Sequence, residues 1–453
     1  MQTIAAAAAV PSMQACSQGG ANPPGIGGLM PDPEGILDLP AGFDYRVIAT
    51  HGEEMADGLL FPARADGMAA FAGQDGRVNI VCNHENPPVA AHYGPFGTNN
   101  ERLKTCDPER IYDCGDGQTP GTGGTTTIVY NPASGETERL HMSLAGTEYN
   151  CAGGPTPWGS WLSCEETFED PGPGTMFEMP AWRERKHGYI FEVPASETGM
   201  VRPVPLTEMG RFEHEACAVD PLSGSVFLTE DRHRSLLYRY LPNEPGKLVR
   251  GGQLQALAIA DHPSFDTRNW SKTGTLPLNT WLDTRWIDLQ DADSRDNDLR
   301  LRGFRDGAAR FARGEGLCYA DGSVFITCTI GGPARLGQVF EYRVSEVEGT
   351  ADENKAPGKL RLIAESTTDS LLRHADNLTM SPWGDLIVCE DTKDHCGLVG
   401  IQPDGHQYAI ADNAYTESEL AGVCFSPDGK VLFVNVQDRG LTLAITGPWP
   451  LSA

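Results

Sequence analysis

A six-bladed β-propeller is the fold this sequence predicts, an all-β architecture with a metal site in its central channel and irregular inserted loops. Three observations predict it. One strand–turn–strand unit recurs six times, each copy turns through a glycine-bearing loop, and a third strand alternating aromatic and polar residues often follows. Self-similarity at tens of residues, with several short strands per unit, is the signature of a propeller. A pair of β-sandwiches is the competing architecture, but it has no reason to repeat its hairpins with matching turns.

Residues 1–40 read as an export-signal remnant followed by a Gly- and Pro-rich arm, and residues 41–453 as a single propeller domain. The remnant is the apolar stretch at 4–10, too short to span a bilayer, followed by Met13-Gln14-Ala15-Cys16, which loosely resembles a lipoprotein box. The first strand is expected at 45–49. The six copies then occupy 66–85, 150–166, 214–232, 314–329, 376–392 and 419–437. Their turns (GQDG, TPWG, DPLSG, YADG, SPWG, SPDG) all supply Gly where a hairpin needs permissive backbone. Third strands are expected at 189–192, 237–240 and 339–342, where period-two alternation marks a half-buried strand. Helical patterning is scarce, and the best short candidate is 307–313.

Composition narrows the function. The chain has 453 residues, 40% of them hydrophobic, with 52 Gly and 33 Pro, which suits a turn-rich globular protein. A formal net charge of -27 argues against nucleic acid or an anionic membrane as partner. No stretch is long and apolar enough for a transmembrane helix. The 12 cysteines form no zinc-like C-x2-C pairs. Cys82, Cys217, Cys318, Cys328, Cys389 and Cys424 lie in apolar runs and read as small buried hydrophobes. Cys106 and Cys114 share a polar loop and are a candidate disulfide in an oxidising compartment.

Equivalent positions of every blade face one channel. The hairpin starts then contribute Asp66, Asn150, Glu215, Glu315, Asp376 or Asn377, and Glu419. The hairpin ends add Glu85, Cys164, Glu165, Glu230, Asp231, Glu390 and Asp391. Glu165 and Glu166 are adjacent, so at most one of them enters the channel in regular strand geometry. Taken singly these residues have ordinary structural uses: a solvated strand end at 229–231, hydrogen-bonded His84 and His214, ion pairs for Arg211 and Arg313. Their joint recurrence is what points to a site. A ring of carboxylates is driven towards protonation unless cations compensate it. Oxygen ligands suit calcium and a thiolate selects softer transition metals, so Cys164 among carboxylates implies a mixed cluster. Arg313 adds a bidentate fork for a phosphate oxyanion, and Asn150 is the ring amide expected to contact substrate. Metals at such a site generate a nucleophile at mild pH and neutralise charge on a transferring phosphoryl group.

These residues carry a specific likeness. The sequence resembles the PhoX family of bacterial alkaline phosphatases through NHE at 83–85, GGTTTIVYNP at 123–132, NCAGGPTPWGSWLSCEE at 150–166 and GRFEHE at 210–215. TEDR at 229–232, RGEG at 313–316, DNLTMSP at 376–382 and AGVCFSPDGKVLFVNVQ at 421–437 also match. The resemblance implies a six-bladed propeller with an iron–calcium cluster. It also implies phosphomonoester hydrolysis without a serine nucleophile. It assigns Glu85, Glu215 and Glu315 as metal ligands, Cys164 as the iron-binding thiolate, Asp231 and Glu390 as further ligands, and Arg313 as the phosphate contact. It further implies a monomeric protein serving phosphate acquisition in the periplasm or outside the cell, with lipid anchoring at Cys16 one route. Exported members carry a twin-arginine signal, which this sequence lacks. Two other readings fit the propeller: a calcium-dependent lactonase-like hydrolase, whose site needs only oxygen ligands, and a non-catalytic propeller using calcium as structural glue.

Overall fold

The computed structural model describes residues 21–87, 90–176, 179–271, 275–393 and 395–451. The apolar stretch at 4–10 and Cys16 lie outside the described residues. The six repeated units are antiparallel hairpins. Ala65–Ala72 pairs with Val78–His84, Asn150–Pro155 with Ser160–Glu165, and His214–Val219 with Val226–Glu230. Gly314–Ala320 pairs with Ser323–Cys328, Ala375–Met380 with Leu386–Glu390, and Leu420–Phe425 with Val431–Val436.

The first strands of these hairpins lie side by side in chain order, and the sixth returns to the first, closing the cycle around a channel. The protein is a β-propeller. Neighbouring strands cover both faces of each inner strand, so these strands are runs of small and apolar residues and not half-polar alternations. His214–Val219, for instance, is buried at every position.

Further strands extend each sheet outwards. Apolar clusters fill the space between sheets: Phe227 meets Tyr342 at 5.4 Å between ring centroids, and Tyr130 meets Phe433 at 5.3 Å. The third and fourth sheets join through Leu282–Asp288, which pairs over five residues with Gly252–Ile259 and over two with Lys359–Glu365.

The N-terminal segment closes the molecule. Asp44–Thr50 pairs antiparallel with the last strand, Leu441–Thr446, from Leu441 opposite Thr50 to Thr446 opposite Asp44. The sheet that ends the cycle is thus built from both ends of the chain. The expected arm is also not free: Leu37–Pro40 adds to the edge of the fifth sheet, Leu37 pairing with Asn413.

Helix falls in a different place from the expected 307–313. The single α-helix among the described residues is Leu299–Arg305, and Gly307 ends it. Gly307 takes a left-handed φ of 112°, its N–H donates to Phe304 O, and Ala308 N–H donates to Gly303 O. That is a Schellman stop, so the chain after it leaves as extended backbone. No helix of the described residues is long and apolar enough to cross a membrane. Cys106 and Cys114 are free thiols packed against one apolar cluster.

Because the closing sheet joins the two ends of the chain, its buried positions hold the cycle shut. Leu443 is fully buried there. Leu443→Ala should cost about 2–5 kcal/mol in a urea unfolding titration; a loss below about 1 kcal/mol would contradict this role for the sheet.

Candidate metal centre

Every hairpin repeats two backbone devices at its channel end. The first is an irregularity in the inner strand. Register shifts between Ala65 and Met68, Asn150 and Gly153, His214 and Cys217, Gly314 and Leu317, Ala375 and Leu378, and Ala421 and Cys424. A bulge of this kind inserts a residue and re-aims its side chain. In the first five hairpins the re-aimed residues are Asp66, Cys151, Glu215, Glu315 and Asp376. Each is followed by a residue in close contact with the next inner strand. A Cβ added at Gly67 would lie 2.5 Å from Ala152 Cα, and one at Gly316 would lie 2.8 Å from Asp376 O.

The second device is a hydrogen bond that ties the exit of each hairpin to its entrance. The N–H of Glu85 donates to Arg64 O, Glu166 to Tyr149 O, Asp231 to Glu213 O, Thr329 to Arg313 O, Asp391 to His374 O and Gln437 to Glu419 O, at 2.8–3.3 Å. Four of these entrance residues sit in the left-handed region: Arg64 (φ 47°), Tyr149 (φ 46°), Arg313 (φ 52°) and His374 (φ 50°). Non-glycine residues held there cost about 1–3 kcal/mol each and concentrate at functional sites.

Together the devices gather carboxylates and one thiol. Ligand-capable atoms of Glu215, Glu315 and Asp376 lie within 4.8 Å of one another, as do those of Asp66, Glu85 and Glu419, and those of Glu85, Cys151 and Glu166. Glu85 belongs to two of these groups and so joins them. Cys151 Sγ donates to Glu215 Oε1 at 3.2 Å, which links the third. Burial is the largest cause pushing the carboxyls of Asp66, Glu166, Glu215, Glu315, Asp376 and Glu419 well above the usual range, and repulsion from one another adds to it. The Cys151 thiol is pushed up for the same reasons. Two arginines oppose this field from hairpins facing each other across the cycle. Arg64 holds Glu85 and Asp438, and Arg313 holds Asp231 through Nε and Nη2, both at 2.7 Å, with Glu315 at 3.2 Å. Two guanidinium groups cannot neutralise so many carboxylates. The donor set fits bound cations: oxygen ligands for hard ions, and one thiol for a softer ion.

Of the residues expected from sequence, the structure brings Glu85, Glu215, Asp231, Glu315 and Arg313 to this ring, with Asp66, Asp376, Asp391 and Glu419. Others lie elsewhere. Cys164 is fully buried with Leu162, Ile190, Met209 and Phe212, because strand alternation puts Leu162 and Cys164 on the apolar face between sheets. Asn150 spends its amide inside the hairpin, donating to Ser163 Oγ at 2.8 Å and accepting from Thr147 Oγ1 at 2.7 Å. Glu390 accepts the backbone N–H groups of Arg373 and Gly397, with burial lifting its carboxyl to about 7, and the next residue, Asp391, faces the ring. Glu230 likewise turns away, accepting from Tyr238 at 2.7 Å and Arg300 at 3.1 Å. Arg211 lies outside the ring, donating to His187 O and Glu169 O.

Cys151 and Glu166 face the ring at the second hairpin, where the sequence reading expected Asn150, Cys164 and Glu165. A signal for Cys151 was present: an acid or thiol followed by Gly or Ala at the inner-strand start (Asp66-Gly67, Cys151-Ala152, Glu215-Ala216, Glu315-Gly316). Behind Glu166, Glu165 anchors the wall. Its Oε1 lies 2.7 Å from His187 Nδ1 and its Oε2 accepts from Gly188 N–H at 2.9 Å. His187 also lies 3.3 Å from Asp113 Oδ2, and the surrounding carboxylates raise the imidazole well above its ordinary value despite burial.

Over residues 25–440 the chain matches the family described as alkaline phosphatase PhoX. The chain belongs to the PhoX family. Its fold is similar to that of Pseudomonas fluorescens PhoX in complex with vanadate, a transition state analogue, with a TM-score of 0.65 and 17% identity over 92% of this chain and 97% of that one. Weaker likenesses include a gluconolactonase from Xanthomonas campestris (TM-score 0.41, 12% identity, 93% of this chain and 98% of that one). Another is a Bacteroides thetaiotaomicron protein of unknown function (TM-score 0.42, 10% identity, 89% and 76%). No curated protein matches the chain in sequence. As a PhoX-family protein it is a metal-dependent phosphomonoester hydrolase, and the ring is where its fold concentrates metal-ligand chemistry.

The raised ring carboxyls make stability depend on pH. In the metal-free folded protein they keep protons that the unfolded chain has already released, so their favourable contribution is complete below about pH 4 and is lost as pH rises. The melting temperature of the metal-free protein should fall from about pH 5 to about pH 8. Saturating calcium should raise it at both, and more at the higher pH. A calcium effect that does not grow with pH would contradict the assignment.

Proposed function

We propose that the ring holds an iron–calcium cluster and that the chain uses it to hydrolyse small phosphomonoesters, acting as an exported monomer in phosphate acquisition. The observation that carries this reading is the convergence of Cys151 and the buried carboxylates beneath two rim arginines, in a chain of the PhoX family. Glu215, Glu315 and Asp376 would hold one cation and Asp66, Glu85 and Glu419 another. Glu85, Glu166 and Cys151 form the wall suited to iron. When bound, these cations would supply Lewis acidity and activate water.

The chain's own residues do the rest. Asp231 fixes the plane of Arg313 by taking its Nε and one Nη2 hydrogen. Nη2 also faces Glu315 Oε1 at 3.2 Å, so the Nη1 donors of that guanidinium are the ones left to hold an equatorial phosphate oxygen. Thr329 Oγ1 donates to Glu315 Oε1, which orients that carboxylate. Burial strengthens each of these contacts, because water does not compete for the same groups. The reading needs no serine nucleophile.

Turnover of p-nitrophenyl phosphate by the iron- and calcium-loaded protein tests it, with Cys151→Ser as the control. Activity well above that variant is expected, and activity no higher would contradict the proposal. Elemental analysis separates the two cysteines. Cys151→Ser should lose iron, whereas Cys164→Ala should keep its metals and lose about 1–2 kcal/mol of stability. Arg313→Ala should lower kcat/KM by about 10²–10³-fold, the scale of removing one preorganised donor to a developing charge.

A further inference from the structure

The rim of the ring opens into a second feature that the proposed chemistry leaves unused. Between the first, fifth and sixth hairpins lies a polar cavity of about 640 Å³. Arg64, Asp391, Glu419 and Gln437 line it, and all four stand at entrance or exit positions of the ring. Cavity and ring therefore share a wall. Gln437 ties the two together, donating through Nε2 to Asp66 Oδ2 at 2.6 Å and to Glu85 Oε2 at 2.9 Å.

The rest of the lining has a definite character. Thr392, Thr416, Ser418 and Tyr93 contribute hydroxyls, and Glu417 and Asp438 contribute acceptors. Lys393 and Arg439 add two exposed cations, and neither takes part in an ion pair among the described residues. Arg439 instead lies over the Tyr415 ring, 5.5 Å from its centroid. Donors and acceptors thus share the lining of a space large enough for a small organic group, and no apolar wall dominates it. The cavity inside the channel, about 440 Å³, contrasts sharply. It occupies the far half of the channel behind the ring, and Met68, Trp161, Leu317, Leu378 and Val423 make its lining apolar.

Direction decides between the two. Arg313 belongs to the fourth hairpin and Arg64 to the first, which lie opposite in the cycle. A phosphoryl group anchored by Arg313 at the rim faces Arg64 across the ring, and the polar cavity begins at Arg64. We infer that this cavity is the leaving-group subsite and that it selects hydroxyl-rich alcohols, so that sugar and polyol monophosphates are the substrate class and Lys393 and Arg439 are specificity-determining residues. The inference rests on the phosphatase reading for the position of the phosphoryl group. Chemically it follows from matching: a polyol offers hydroxyls to these donors and acceptors, whereas an aryl group offers them no hydrogen-bonding partner.

The test compares glucose 6-phosphate with p-nitrophenyl phosphate on the metal-loaded wild type and on the Lys393→Ala/Arg439→Ala double variant. Both side chains are exposed, so folding is not at risk. The variant should lose about tenfold in kcat/KM for glucose 6-phosphate, through KM, and stay within about twofold on p-nitrophenyl phosphate. An equal loss on both substrates, or no loss on either, would overturn the subsite. If the wild type turns over neither substrate, the phosphatase reading falls separately. Calorimetric binding of the then unhydrolysed glucose 6-phosphate decides the subsite in that event: about tenfold weaker binding in the variant supports it and equal binding removes it.

Discussion

Carboxylates from all parts of the chain are brought within a few ångströms of one another in the channel, where burial removes the water that would screen them. Such groups repel, and each unit of pKa elevation corresponds to about 1.4 kcal/mol between protonation states. The site therefore stores unfavourable electrostatic energy in its metal-free form. Bound cations reverse the sign of that field, so the same geometry that destabilises the empty ring gives it affinity for metal. Arg64 and Arg313 relieve only the two ends of the ring and leave its centre to the cations.

Backbone geometry is what keeps the carboxylates together against their repulsion. A bulge at each inner-strand start and a hydrogen bond from each hairpin exit to its entrance recur in all six units. Four entrance residues accept left-handed conformations to satisfy this arrangement. The outer sheets and the strand that joins the two ends of the chain prevent the cycle from opening. Behind the Cys151–Glu166 wall, the buried His187 cluster holds Glu165 from two sides, so the adjacent ring ligand is set by packing that lies outside the channel.

Much of this was legible in the sequence, and the differences at the ring are of one or two residues. The hairpins, their turns and the recurrence of acids at their ends are periodic features, and they place Glu85, Glu215, Asp231 and Glu315 at the ring. Regular alternation, however, misplaces a side chain wherever a bulge adds a residue. In the second hairpin the bulge beside Asn150 turns Cys151 to the ring, while ordinary alternation in the second strand packs Cys164 between sheets and Glu166, just past the strand, faces the ring. At the end of the fifth hairpin no bulge intervenes in the second strand, and the neighbours Glu390 and Asp391 differ because adjacent residues face opposite ways. The small residue after each bulge ligand would have fixed the frame, since close approach of inner strands forbids a larger side chain at Gly67 or Gly316. The helix was missed for a similar local reason: 307–313 follows the Schellman glycine that ends the helix.

The central claim is that buried, mutually repelling carboxyls hold protons until cations displace them. Proton release on adding calcium to the metal-free protein in weakly buffered solution near pH 7 measures this directly. Binding should liberate at least about one proton per chain, because ligands must deprotonate to coordinate. Calcium binding with no proton release would contradict the account.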